Sequence, residues 1–177
     1  MNRKEVKWKI SIVYQSLTGN TRQLAEAVQA VLPSEMLFYI GTPDAEALKA
    51  DLIFAGSWTD KGLFSQPMLD FLAQCHNKSL ALFATCGFGQ AEEYYQAILQ
   101  RTAAKIPADN LILASFACQG RMHESVKQRY QTMQAKEPDN PRWTSLLENY
   151  DSALSHPDNT DLQRCQQFAR DVLTKIK

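Results

Sequence analysis

The sequence predicts a doubly wound α/β fold: a parallel sheet with helices on both faces, formed as a single domain over residues 1–177. Two observations carry that prediction. Short runs of strand length alternate along the chain with stretches of helical period, the βαβα order of this fold class. Several of the short runs are apolar at nearly every position, as in strands covered on both faces. The length agrees, since 177 residues is ordinary for one domain with a sizeable core.

Five strands are expected, at residues 8–14, 36–40, 52–55, 80–84 and 111–116. The first, with Trp8, Ile10, Ile12, Val13 and Tyr14, is rich in β-branched and aromatic residues. After it, Leu24, Ala25, Val28 and Val31 share one helical face. Ser65 marks the start of a second helix as its cap, with Pro67 in the first turn and Leu69 and Leu72 turned inward. Tyr94, Tyr95, Ile98, Leu99 and Ile106 make a third stripe. The closing helix follows Asp158 and carries Leu162, Cys165, Phe168, Val172 and Ile176 at helical spacings. Residues 121–157 break the alternation. Val126, Tyr130 and Met133 line one short helix there. After the Glu137-Pro138-Asp139-Asn140-Pro141 break, Trp143, Leu146, Leu147, Tyr150 and Leu154 line a second. This helical excursion either covers one end of the sheet or docks a partner.

Composition narrows the function. Lys+Arg and Asp+Glu both number 19, so a nucleic-acid partner held by bulk positive charge is not expected. No apolar run approaches the ~18 residues of a membrane span, and the polar N-terminal stretch does not read as a signal peptide. The four cysteines, Cys75, Cys86, Cys118 and Cys165, form no C-x-x-C pair and suit a reducing cytoplasm. His76, His123 and His156 stand isolated, so no metal is expected. With no G-x-S-x-G elbow and no acid pair after the first strand, a hydrolase and a phospho-acceptor receiver are disfavoured. No catalytic residue is assigned.

Sheets of this class bind ligands beyond the carboxyl ends of their strands. Three loops there carry chemistry. The first, Gln15-Ser16-Leu17-Thr18-Gly19-Asn20-Thr21, opens the first helix. Hydroxyls, an amide and a glycine at a helix N-terminus are a phosphate cradle, or an ordinary capped turn. No Lys follows the glycine, which excludes a P-loop that handles a transferring phosphoryl group. The second loop is Gly56-Ser57-Trp58-Thr59-Asp60-Lys61-Gly62. Trp58 offers a flat apolar surface, and Gly62 tolerates unusual dihedrals. The third is Thr85-Cys86-Gly87-Phe88-Gly89-Gln90, with an aromatic between glycines. Cys86 reads as a small packing residue, and the pair Tyr94-Tyr95 as half core and half surface.

Ser16-x-Thr18-Gly19-Asn20-Thr21 directly after a first strand resembles the FMN phosphate loop of the flavodoxin family. The resemblance runs from Trp8 to about Phe116 and resumes in the closing helix. It implies strand order 2-1-3-4-5 and FMN as cofactor. It implies that Ser16, Leu17, Thr18, Gly19, Asn20 and Thr21 hold the phosphate. It puts Ser57, Trp58, Thr59, Asp60, Lys61 and Gly62, with Thr85, Cys86, Gly87, Phe88 and Gly89, around the flavin ring. Trp58 and Phe88 take its faces, and a carbonyl near Gly62 turns toward N5. A second resemblance rests on Asp60-Lys61-Gly62, Phe116-x-Cys118-Gln119-Gly120 and Ala153-Leu154-Ser155-His156-Pro157. These segments are similar to a branch of bacterial flavodoxin-family proteins that accompany larger flavin reductases, the bilirubin reductase system of gut bacteria among them.

The resemblance implies a cytoplasmic electron carrier, a monomer that passes one or two electrons between a reductase donor and an acceptor enzyme. An FMN-dependent NAD(P)H reductase of quinone-like acceptors is the alternative, and a flavin-free binding module on the same fold is another. The chain departs from the family's usual acidity: it is neutral, and Lys61 lies in a flavin loop. A less negative potential for the last electron is therefore expected.

Overall fold

The computed structural model describes residues 8–89 and 91–176. Residues 1–7 of the polar N-terminal stretch, Gln90 of the third loop and Lys177 lie outside the described residues. The elements run β1 (Ile10–Gln15), α1 (Asn20–Gln29), β2 (Leu37–Gly41), a 3₁₀ turn (Ala45–Lys49), β3 (Leu52–Asp60), β4 (Leu63–Phe64) and α2 (Gln66–Leu72). They continue with β5 (Ser79–Cys86), α3 (Glu92–Ala103), β6 (Leu111–Gln119), α4 (Glu124–Lys136), α5 (Pro141–Ala153) and α6 (Asn159–Thr174).

Five strands pair in parallel in the order β2-β1-β3-β5-β6, the doubly wound order that the flavodoxin resemblance implies. The sixth strand was not expected. β4 is two residues long and pairs antiparallel with the end of β3. The third, fourth and fifth strands also run further than their apolar cores: β3 to Asp60, β5 to Cys86 and β6 to Gln119. The second expected loop is therefore mostly strand and hairpin. Ladder pairing, parallel for β5 and β6 and antiparallel with β4 at the end of β3, satisfies backbone groups past the point where side chains turn polar, so apolar patterning ends before the ladder does.

The sheet separates two cores. On one face, α2, α3 and the 3₁₀ turn cover Val13, Ile53, Ala55, Leu80, Leu82 and Ala84. On the other, α1 and α6 cover Ile10, Ile12, Leu52, Phe54, Ala81, Phe83 and Phe116. Side chains on successive residues of a strand point to opposite faces, so a strand covered on both has no polar side to show. Ser65 does sit at the N-cap of α2, but its hydroxyl bonds Ser57 Oγ at 2.9 Å and makes no cap bond. Asp158 caps α6 in full: it accepts from Asp161 N–H at 2.9 Å while Asp161 accepts from Asp158 N–H at 2.9 Å. Helices α4 and α5 pack on each other, burying Tyr130, Tyr150 and Ala153.

Gly56 sets the closeness of the central strands. It pairs with Tyr14 on one side and Phe83 on the other. A Cβ there would lie 2.0 Å from the buried Phe83 ring. Gly56→Ala is expected to destabilise the fold by about 1–3 kcal/mol, the usual range for overpacking a core. The readout is a lower urea midpoint at unchanged m-value; an unchanged midpoint would mean the ring has room to move.

Candidate functional site

The carboxyl ends of β1, β3 and β5 meet at one cavity of about 440 Å³. That is within the ~300–1,000 Å³ of small-ligand sites. Leu17, Thr18 and Asn20 reach it from the first loop. Trp58, Thr59, Lys61 and Gly62 reach it from the β3–β4 hairpin. Thr85, Cys86, Gly87 and Phe88 complete it from the end of β5. The other expected site residues, Ser16, Gly19, Thr21, Ser57, Asp60 and Gly89, stand behind this lining or beside it.

Each loop has a local cause. Gly19 adopts φ +88°, a left-handed turn in which a side chain is strained, and the space beside its Cα is open. It delivers the chain into α1, whose first N–H groups lack intrahelical partners. Ser16 Oγ accepts from Arg22 N–H at 3.2 Å, tying the loop to the helix. In the hairpin, Lys61 (φ 49°) and Gly62 (φ 78°) are both left-handed, as a two-residue hairpin turn requires. The Gly62 carbonyl accepts from Arg101 of α3 at 3.4 Å. Ser57 is fully buried; its Oγ donates to Ser65 Oγ and accepts from Ser65 N–H at 3.0 Å.

The three loops are bonded to one another. Thr21 and Thr85 share a hydroxyl–hydroxyl bond of 2.9 Å, and Thr59 Oγ1 donates to the Thr85 carbonyl at 3.3 Å. A fourth segment, invisible to local patterning, closes the site. Gly120, Arg121, Met122 and His123 follow β6, and Val126 and Arg129 line the cavity from α4. Asn20 Nδ2 donates to the Arg121 carbonyl at 2.7 Å, and Thr18 Oγ1 to the same oxygen at 3.4 Å. A Cβ on Gly120 would meet Asn20 Nδ2 at 2.6 Å, so glycine is what lets these segments approach. Tyr94 also lines the cavity, edge-on to Phe88 with ring centroids 6.1 Å apart. Its position reflects the start of α3, which the sequence places only to within a few residues.

The cavity's charge is one-sided. Among the described residues, its lining holds Lys61, Arg121 and Arg129, plus His123, and no carboxylate. Beside it stand Asp60, Glu124 and the first-turn acids of α3, Glu92 and Glu93. A separate His156, Asp158 and Asp161 group has ligand atoms within 4.8 Å of one another. The sequence did not anticipate this grouping. Its carboxylates already serve the α6 capping box, and His156 Nδ1 meets Asp161 Oδ2.

The thiols are not poised for chemistry. Burial pushes Cys86 up to about 12, against a smaller opposing effect of its hydrogen bond with Thr59. Burial likewise raises Cys75 to about 11 and Cys165 to about 12. Cys118 is raised by burial first and then by Asp161 and its neighbouring thiols. The thiolate is the reactive form. A disulfide reagent at pH 8 is expected to label no thiol in the native protein and all four after unfolding; rapid native labelling of Cys86 would contradict this.

The flavodoxin domain family matches residues 11–170 of this chain. The chain belongs to the flavodoxin family. Its similarity to curated relatives runs nearly end to end. It is 37% identical over 177 aligned residues to the flavodoxin-like domain-containing protein BilS of Clostridium symbiosum (strain WAL-14163), covering 90% of this chain and 93% of that one. It is 33% identical to the BilS protein of Clostridioides difficile (strain CD3), covering 94% and 97%. Among solved structures, a short-chain flavodoxin associated with a non-canonical PDU bacterial microcompartment superposes with a TM-score of 0.62 at 16% identity, covering 96% and 99%. Oxidised flavodoxin 2 from Bacillus cereus superposes at 0.59 and 18% identity, covering 94% and 99%. These two show a shared fold.

Flavin binding and electron transfer are the business of this family, and the residues present fit a flavin. The buried Asn20 Oδ1 has no hydrogen-bond partner among the described residues, beside an open left-handed glycine at a helix N-terminus. Trp58 and Phe88 add aromatic surface to the same cavity. Among the described residues no helix is long and apolar enough to cross a membrane.

Proposed function

We propose that this protein binds FMN and carries one or two electrons between larger redox proteins in a bacterial cytoplasm, as the accessory of a flavin reductase. One observation carries the reading: a helix N-terminus, an aromatic hairpin and an aromatic glycine loop, from three separate strand ends, share one cavity. One anion site at the start of α1 matches one phosphate, which favours FMN over a dinucleotide flavin. The four buried free thiols are in keeping with a reducing compartment. The accessory role is supported by the similarity to the BilS relatives along nearly the whole chain.

Bound flavin supplies the electron chemistry itself. The chain's part is to hold and tune it. The α1 N–H groups and the Thr18 hydroxyl are donors for a phosphate, helped by the positive end of the helix dipole. Trp58 and Phe88 shield the ring from water, and each stacked aromatic contact adds roughly 0.5–1.5 kcal/mol beyond area burial. The cationic lining favours whichever redox state carries more negative charge.

The test is the visible spectrum of the purified protein, followed by titration with FMN. Flavin bands and saturation at one FMN per chain are expected; a colourless protein that ignores FMN overturns the reading. NAD(P)H alone is expected to leave the bound flavin oxidised. Rapid bleaching without a partner protein would instead make this a reductase of quinone-like acceptors.

The lining cations give a second prediction. Removing one, as in Arg129→Ala or Lys61→Ala, is expected to make the second one-electron potential more negative by on the order of 30 mV. That is a unit charge acting across several ångströms of high-dielectric surroundings. Spectroelectrochemical titration reads it, and a potential unmoved by both substitutions would show that these charges do not reach the flavin.

A further inference from the structure

The loop that carries Phe88 is held from an unexpected direction. Asn149 lies on α5, in the helical pair that interrupts the βα alternation. Its Nδ2 donates to the Gly87 carbonyl at 3.1 Å, and its Oδ1 accepts from Gly89 N–H at 3.3 Å. Gln119, at the buried end of β6, donates through Nε2 to the same Gly87 carbonyl and to Asn149 Oδ1, both at 3.2 Å. A Cβ on Gly89 would lie 2.2 Å from Gln119 Oε1, so the loop rests directly on this amide. No other hydrogen bond among the described residues holds Gly87 O or Gly89 N–H. An amide is suited to this place: its N–H₂ and its carbonyl oxygen sit on separate atoms, one for each peptide.

We propose that Asn149 is a positioning residue of the flavin site. By fixing the peptides on both sides of Phe88, it sets where that aromatic wall stands and which backbone groups remain free to meet the ring. This rests on reading the cavity as the FMN site. It also gives the helical pair a role beyond covering the sheet end, because α5 supplies the clamp while α4 lines the cavity.

The test uses the full chain with Asn149→Ala, Asn149→Asp and, as a control on the exposed side of the same helix, Glu148→Ala. In flavin-free protein, hydrogen exchange at Gly89 is expected to quicken at least about fivefold in Asn149→Ala, as for loss of a bond of ordinary strength. Asn149→Asp, which keeps the acceptor, is expected to restore much of that protection. In Asn149→Ala the Kd for FMN is expected to rise about five- to tenfold, from two lost bonds of which part is recovered by water. The visible circular dichroism of the bound flavin should change too, which a merely stabilising residue would not cause. Glu148→Ala should match the parent throughout. Faster exchange with unchanged Kd and dichroism would overturn the positioning role, and so would wild-type behaviour in all three measurements. If the parent protein itself binds no FMN, the functional reading fails, and the exchange experiment still decides whether Asn149 clamps the loop.

Discussion

The Thr21–Thr85 hydroxyl pair, 2.9 Å apart and shut away from solvent, stands where every part of the ligand end meets. Thr21 belongs to the first turn of α1, and Thr85 to the last residues of β5. Thr85 also accepts from Thr59 through its carbonyl, pairs in register with Trp58 and Cys118, and packs against Gly120. A parallel sheet brings its carboxyl ends to one edge, but it does not by itself fix the loops that leave them. Here a few buried polar groups do so. Buried hydroxyls and amides are costly without partners, so such a junction has few alternative arrangements.

The helical pair extends that junction. Its two helices leave about half of their residues exposed and contribute no residue to the two sheet cores. Their contribution is at the cavity: Arg121 receives bonds from Asn20 and Thr18, Met122 fits against Gly87, and Asn149 reaches the peptides around Phe88. The loop that opens α1 and the loop that carries Phe88 are thus both tied to residues 119–149. The same insertion brings Arg121 and Arg129 to the lining, giving a chain of zero net charge a cationic cavity.

Most of the fold was legible because fully apolar strands and three-to-four spacings are local signals. The faces of α1, α2, α3 and α6 followed from them, and the order of the parallel strands from the family resemblance. Trp58, Phe88 and the Thr18–Thr21 loop were legible because a glycine, hydroxyls or an aromatic stood just past an apolar run. The misses have physical causes. β3, β5 and β6 outrun their apolar cores because ladder bonds do not depend on side-chain polarity. Lys61 beside Gly62 hid a hairpin turn, since lysine is not a residue that local patterning assigns to a left-handed position. Asn149 serves a loop about 60 residues earlier. Contacts of that separation leave no trace in spacing. Asn149 had one retrospective clue only: it lies next to the buried Tyr150, on a helix that needed a reason to face the sheet end.

In the reading proposed above, the flavin sits in the cavity at the carboxyl ends of the strands, walled by the three loops and by the start of α4. Backbone amide resonances followed during FMN addition test it most directly. Large shifts are expected in residues 16–21, 57–62, 85–89 and 120–129, with the opposite edge of the sheet unmoved. Shifts centred on that opposite edge, around Asp51, Lys78 and Asp109, or no shifts at all, would contradict it.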